Sequence, residues 1–181
     1  MDLTHELTEQ LTRHWNNHVR PRLDDLTDDE YFWEPVDGCW SIRRRGEART
    51  SMAAGGDWVA DFEYPEPQPA PVTTIAWRLA HLRVGVFGAR NASHFGGPPI
   101  DYATADWAGD AKTALAQVDE QYDRWIAGVT LLDEAALATP VGDKEPYPDL
   151  PFAALVLHIN REAIHHASEV LLLRDLYRWR R

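Results

Sequence analysis

The spacing of hydrophobic positions predicts four long helices. Apolar side chains recur at three- and four-residue intervals in residues 3–20, about 73–91, about 107–127 and about 151–179, which is the period of one α-helical face. The second of these helices is apolar on most sides, as is typical of a central helix. Gly128 stands where the third helix is expected to end. We therefore expect helices to cover more than half of the chain.

The residues between the first two predicted helices have a different pattern. Thr27 and Glu30 form a capping-box pattern that predicts a short helix. From residue 41 to residue 72, here called the crossover segment, paired glycines and alternating prolines predict an irregular path with room for a short hairpin. We therefore predict an all-α fold: a four-helix bundle with a long irregular crossover between helices one and two. Residues 1–181 form a single domain in this interpretation.

The composition narrows the classes of partner. The net charge of -11 disfavours binding to nucleic acid or to an anionic membrane surface. The first ten residues have neither the basic nor the apolar region of a secretory signal. Cys39 is the single cysteine, so no internal disulfide can form. We expect a cytoplasmic protein with no nucleic-acid or membrane partner.

The predicted last helix carries a row of ionisable residues beside its apolar face. His158, Glu162, His165, His166 and Glu169 fall within an arc of roughly 100° on a helix. Burying ionisable groups costs several kcal/mol each unless they are paired or bind a metal. These five residues include no fixed cation, so the pattern predicts one divalent metal ion as their partner.

Three residues are the candidate ligands of that ion. Glu162 and His166 are four residues apart and can bind one ion from adjacent turns. His81 is the candidate third ligand, because every other ionisable residue of the central second helix is an arginine. Two histidines and one carboxylate suit Zn, Fe(II), Ni or Mn and leave positions open for water or substrate. Each residue alone also has a simpler interpretation, as a hydrogen-bonded core histidine or as a surface pair.

Two glycines lie on the same helical face as His81. Gly85 and Gly88 each cost a helix roughly 1 kcal/mol relative to alanine. Either they allow another element to pack closely, or they leave open volume beside the metal. The second alternative predicts a pocket that reaches the metal and is bordered by the first helix near His14 and His18.

The chain resembles a known family in three stretches. LDDLTDDEYFWEPVDGCWSIR, TTIAWRLAHLRVGVFGARNASHFGG and LHINREAIHHASEVLLLRDLYRW look like an actinobacterial branch of the DinB-like superfamily. This superfamily includes mycothiol- and bacillithiol-dependent transferases and a maleylpyruvate isomerase. The resemblance implies a four-helix bundle that holds a metal on three histidines, one from the second helix and two from an H-x-x-x-H pair on the last.

The family pattern carries over with one departure. His81 matches the ligand of the second helix and His166 matches the second histidine of the pair, while Glu162 stands where the first would be. A carboxylate ligand shifts the preference of a site toward harder ions. The resemblance implies a role for His165 or Glu169 as an orienting partner or a proton carrier.

The predicted function is that of a metal-dependent transferase acting on a low-molecular-weight thiol such as mycothiol. We expect zinc as the cofactor, with Ni, Fe or Mn as alternatives, and mycothiol as a co-substrate. A metal-dependent hydrolase and a non-enzymatic bundle that binds a small molecule are the alternatives. The expected partner is a small-molecule substrate, and a homodimer is left open.

Overall fold

The computed structural model describes residues 2–50 and 54–180. Helix accounts for 57% of the structure, which confirms the prediction that the protein is mostly helical. A small three-stranded sheet is also present within the crossover segment, so the fold is mostly α-helical rather than all-α. None of the helices in the described ranges has the length and apolar composition needed to cross a membrane.

The first helical region begins at α1 (Leu3–His14), where the Asp2 side chain caps the helix by accepting from the His5 N–H at 3.0 Å. It continues through a π-helical turn (Trp15–Val19) and a 3-10 turn (Arg20–Arg22). The predicted helix over 3–20 therefore ends within two residues of the observed helical region. The residues that it buries are Leu7, Leu11, Trp15 and Val19.

The short helix α2 (Asp28–Tyr31) has the predicted capping box, in which Thr27 and Glu30 exchange hydrogen bonds. The Glu30 carboxylate also accepts a hydrogen bond from Arg174 Nε at 3.0 Å. Arg174 lies on the last helix and is 1% exposed, and it makes a second ion pair with Asp25 at 2.7 Å. A buried charge cluster thus joins α2 to the end of the chain.

The crossover segment contains a small antiparallel sheet followed by an irregular stretch. Strands β1 (Ile42–Arg44), β2 (Ala54–Gly55) and β3 (Trp58–Ala60) lie in the order β1-β3-β2. Residues 61–72 form neither helix nor strand. The prediction of an irregular segment with a short hairpin is therefore correct for the β2–β3 hairpin, while β1 adds a strand that was not expected.

The second long helix, residues 75–94, is not uniform. It begins with α3 (Ile75–His81), capped by the Thr74 side chain, which accepts from the Trp77 N–H at 3.3 Å. A π-helical turn (Leu82–Gly88) follows, and α4 (Ala89–His94) completes it. Wider turns of this kind are rare and occur frequently at functional sites. This one begins directly after His81.

Three further helices complete the chain: α5 (Ala111–Thr130), α6 (Glu134–Ala138) and α7 (Phe152–Trp179). The predicted end of the third helix at Gly128 is wrong, because α5 continues to Thr130. A Cβ at Gly128 would overlap the ring of Phe95. This glycine therefore permits close packing within the helix rather than ending it.

The long helices share one apolar core. α3 packs against α5 and α7, and α1 packs against the same two helices. The second long helix runs antiparallel to α7, since His81 lies beside His166 at one end and His94 lies beside Phe152 at the other. The seam between these two helices therefore brings the predicted ligands of both together. Core side chains of the four long helical regions include Leu11, Leu79, Phe87, Trp125, Ile159 and Val170.

Candidate metal centre

The polar row of α7 lies along its seam with the second long helix. His166 is buried, His158, Glu162 and Glu169 are half-buried, and His165 is exposed. Neighbours in the row are close: His158 Nδ1 lies 3.6 Å from Glu162 Oε1, and His165 Nε2 lies 3.4 Å from Glu169 Oε1. The five residues therefore share one side of the helix as predicted, but their exposure differs: His165 faces solvent and His166 faces the interior.

His81 extends from the end of α3 toward this row. Its ring meets the His166 ring edge to face, with centroids 4.6 Å apart. On its other side it stacks on Trp77, with centroids 5.4 Å apart and nearly parallel planes. The predicted ligand of the second long helix thus lies directly against the predicted ligand of the last.

Tyr102, from the loop before α5, orients His81. The Tyr102 hydroxyl is hydrogen-bonded to His81 Nδ1, which leaves Nε2 as the nitrogen available to a ligand. Burial lowers the pKa of His81 to about 3, and the nearby charges of His166, Arg78 and Arg90 act in the same direction. Burial also raises the pKa of Tyr102, so the hydroxyl keeps its proton. His81 is therefore a neutral imidazole at neutral pH, the form that binds a metal.

Glu169 orients His166 in a similar way. The distance from His166 Nδ1 to Glu169 Oε2 is 2.8 Å, and because a carboxylate only accepts, Nδ1 carries the proton. Burial lowers the pKa of His166, against the opposing effect of Glu169. His166 Nε2 consequently has a free lone pair, and it lies 3.6 Å from Glu162 Oε2. A metal-binding imidazole usually donates its other ring N–H to a carboxylate, a backbone carbonyl or water, which fixes its orientation.

The spacing of Glu162 and His166 fits a shared metal ion. Two ligands at about 2.0–2.2 Å from a tetrahedral ion lie roughly 3.3–3.6 Å apart, close to the observed separation of 3.6 Å. Tyr102 contacts His81 through Nδ1, and Glu169 contacts His166 through Nδ1. The Nε2 atoms of both histidines are therefore not used by these partners. The donor set of two neutral imidazoles and one carboxylate therefore suits a divalent cation.

A different group of residues meets the distance criterion for a metal site. Ligating atoms of His165, His166 and Glu169 all lie within 4.8 Å of one another. Among the described residues, the set of His81, Glu162 and His166 does not meet that limit, although His81 and Glu162 each lie beside His166. Within this second group, His166 Nδ1 lies at hydrogen-bonding distance from Glu169 and faces a cation.

That cation is Arg78, which the sequence analysis overlooked. Arg78 Nε forms an ion pair with Glu169 Oε2 at 3.0 Å. Its Nη1 lies 3.3 Å from His166 Nδ1, a contact that is not a hydrogen bond while Nδ1 donates to the nearer Glu169. The row has no fixed cation of its own, but Arg78 of the second long helix pairs with Glu169 and so supplies a charge partner besides the predicted metal ion. Arg78 precedes His81 by three residues and so shares its helical face, a signal present in the sequence.

The glycine face of the second long helix is closed. A Cβ at Gly85 would lie 2.5 Å from Tyr102 Oη and 2.9 Å from His81 Nδ1, and one at Gly88 would lie 2.8 Å from Ile100 Cγ2. These contacts favour close packing over open volume. The pocket predicted beside helix one, near His14 and His18, stays a prediction. Their rings lie beside each other, with centroids 6.0 Å apart.

Gly85→Ala should therefore destabilise the protein, although alanine is the better helix former. The new methyl group must displace the Tyr102 hydroxyl or the His81 ring, and overpacking of this kind costs about 1–3 kcal/mol. Urea denaturation measures the loss. Gly46→Ala is the matched control, since a Cβ there meets nothing within 4 Å. Equal stability of the two variants would mean that Gly85 does not hold Tyr102 against His81.

These features describe a mostly helical protein with a histidine and glutamate cluster between two antiparallel helices. A model of the DinB superfamily matches residues 48–170, more than half of the chain. The protein therefore belongs to the DinB superfamily, a family of metal-binding proteins. No curated protein and no solved structure matches the chain.

Proposed function

We propose that this protein is a metal-dependent enzyme that holds one divalent ion on His81, Glu162 and His166. We propose further that it is a transferase acting on a low-molecular-weight thiol such as mycothiol, with zinc as the ion. The observation that carries the proposal is the position of His166, whose free Nε2 lies beside the Glu162 carboxylate while its ring touches His81. Membership of the DinB superfamily supports a metal-dependent function.

In this proposal, some residues of the chain orient the metal ligands and another exchanges protons. Tyr102 holds His81 and Glu169 holds His166, each through Nδ1, so that each imidazole keeps its Nε2 for a ligand. A divalent ion bound there would lower the pKa of a coordinated thiol, which is otherwise about 8.5. His165 is exposed, and its Nε2 lies 3.4 Å from Glu169 Oε1. This position suits a residue that exchanges protons with solvent.

The proposal also covers the architecture. The four long helical regions would form the four-helix bundle expected for the family, with the crossover segment against its side. Phe62 of that segment stacks on Tyr102 with centroids 5.9 Å apart, and the charge of Glu66 reaches Arg78. The crossover segment would thereby form one wall of the site.

Arg78 favours a second candidate function. Its ion pair with Glu169 leaves a row that is partly satisfied without metal. A non-enzymatic bundle that binds a small molecule, with Arg78 as the internal counter-ion, would need no cation. Metal binding by the purified protein separates this candidate from the first.

Variants of Glu162 test the ligand set. Glu162→Ala should weaken zinc binding by about 100-fold, because one ligand of a site worth roughly 10–16 kcal/mol is lost. Glu162→His should keep the affinity within about tenfold, since imidazole replaces carboxylate at the same position. The measurement is competition with a chromophoric chelator, on protein prepared without a histidine tag.

His165→Ala serves as the control in the same titration. It should change zinc affinity less than Glu162→Ala does. The opposite ranking would assign the ion to His165, His166 and Glu169 instead. A wild-type protein that does not compete for zinc at all would exclude the metal-dependent function and leave the second candidate.

A further inference from the structure

A pocket of about 340 Å³ lies beside the candidate metal centre. It is lined by Arg90 of α4, by parts of the loop 141–150 before α7, and by the first turns of α7 around Leu155 and His158. The loop is folded back on itself, since the Val141 N–H donates to the Leu150 carbonyl at 2.9 Å. The volume of the pocket is at the small end of the range for ligand pockets.

The pocket continues the seam that holds the candidate ligands. His158 lines the pocket and lies one turn before Glu162, with His158 Nδ1 at 3.6 Å from Glu162 Oε1. Arg161 also lines the pocket, and its Nε lies 3.5 Å from the same carboxylate oxygen. A molecule in this pocket would therefore reach the Glu162 side of the candidate metal centre.

One cation of the pocket is already neutralised. The Glu145 carboxylate is 7% exposed and lies between Arg90 Nη2 at 3.3 Å and His94 Nε2 at 3.0 Å. Arg90 also donates to the Gly85 carbonyl at 2.6 Å, within the π-helical turn. Arg90 is thus held by the protein itself and acts as a wall of the pocket.

Arg161 is the less buried cation of the pocket. It is 71% exposed, its Nη2 donates to His158 Nδ1 at 2.7 Å, and its longer contacts with Glu162 Oε1, at 3.5 Å, leave its exposed face open to a ligand. Because a guanidinium only donates, Nδ1 of His158 must accept, so its Nε2 carries the proton and is a second donor. The pocket therefore combines two donors, one of them charged, with the apolar side chains of Val141, Leu150 and Leu155.

We propose that this pocket binds a small organic carboxylate with an apolar body, the second substrate of the enzyme. The carboxylate would bind Arg161 and His158, and the apolar body would lie against Val141, Leu150 and Leu155. Guanidinium–carboxylate pairing gives both strength and geometric selection. The role as second substrate rests on the proposed transferase function, whereas the binding itself requires no metal.

Binding of hexanoate to the metal-free protein tests the proposal. Hexanoate should shift the backbone amide resonances of pocket residues in an EDTA-treated, ¹⁵N-labelled sample. Hexanamide has the same body without the charge and should bind about tenfold more weakly, because its single carbonyl oxygen cannot form the charge-assisted pair that a carboxylate forms with a guanidinium. Hexylamine should not bind. Equal affinity for hexanoate and hexanamide would overturn the proposal.

Two variants locate the binding site. Arg161→Gln should reduce hexanoate affinity to that of hexanamide, whereas Arg13→Gln, an exposed arginine of α1 outside the pocket, should leave it unchanged. Ala154→Leu should fill the pocket and weaken both probes. Unchanged hexanoate binding by Arg161→Gln, or resonance shifts confined to another face, would refute the site.

Zinc affinity measured on the same samples separates this proposal from the proposed function. A wild-type protein that selects hexanoate but binds no zinc would refute the metal-dependent function and leave the carboxylate pocket. A protein that binds zinc but does not distinguish hexanoate from hexanamide would refute the pocket and leave the metal-dependent function.

Discussion

Replacing Arg174 by methionine should lower the free energy of unfolding by about 3–5 kcal/mol. Arg174 is 1% exposed and pairs with Glu30 at 3.0 Å, and the Glu30 side chain is itself 5% exposed. Methionine fills a similar volume but leaves the Glu30 carboxylate buried with less compensation. Urea denaturation at neutral pH measures the difference.

Arg178→Met is the matched control within the same cluster. Arg178 also contacts Glu30, at 3.1 Å, but it is 48% exposed, and exposed pairs contribute at most about 1 kcal/mol. Both substitutions remove a guanidinium that pairs with Glu30, but from positions that differ in burial. Similar losses for both would show that burial of the Arg174–Glu30 pair is not what stabilises the end of α7.

The Arg174 effect should also depend on pH. Burial by itself raises the pKa of Glu30, but the hydrogen bond and charge of Arg174, together with hydrogen bonds from the Thr27 backbone and Arg178, outweigh it and the pKa is lowered. A lowered folded-state pKa gives stability that is present above the unfolded value of about 4.3 and is lost as the pH falls through the folded value. The difference between wild type and Arg174→Met should therefore narrow below about pH 4.5.

Replacing His166 by alanine should produce the largest loss of metal binding. His166 belongs to both candidate ligand sets, so its removal should lower zinc affinity by at least about 100-fold whichever set is used. Zinc at 100 times its dissociation constant should stabilise the wild type by about 2.7 kcal/mol. At the same zinc concentration, that stabilisation should fall to about 0.4 kcal/mol or less in His166→Ala. Thermal unfolding with and without zinc measures both.

Glu169→Gln gives the comparison that defines the role of Glu169. As an orienting partner of His166, it should cost about 10–100-fold in zinc affinity, less than the loss for His166→Ala. An equal loss for the two variants would make Glu169 a ligand. Zinc-dependent stabilisation that survives in His166→Ala would remove His166 from the metal site altogether.

Helix positions were predictable because they depend on local periodicity. The ranges predicted for the second and last helices, about 73–91 and about 151–179, agree with the observed 75–94 and 152–179 within a few residues. Gly128 was misassigned because a glycine that ends a helix and one that lies under a neighbouring ring look alike in sequence. Only the position of Phe95 distinguishes them, and that position depends on tertiary packing.

The candidate site was predictable where it follows helical geometry. The i, i+4 spacing brought Glu162 beside His166, and the apolar character of the second long helix brought His81 to the same seam. Arg78 could have been inferred from its spacing of three residues from His81. Tyr102 could not, because it lies in a loop without periodicity and reaches His81 only through the fold.

The extent of the DinB superfamily match has a practical consequence for defining the smallest folding unit. The match begins at residue 48 and ends at residue 170, so it leaves out α1 and α2 as well as Arg174. A fragment trimmed to these limits would uncover the surfaces of α5 and α7 that α1 covers. It would also delete both halves of the buried Glu30–Arg174 pair. A shortened form for expression should therefore keep α1, α2 and Arg174, because the packing of the chain extends beyond both ends of the matched region.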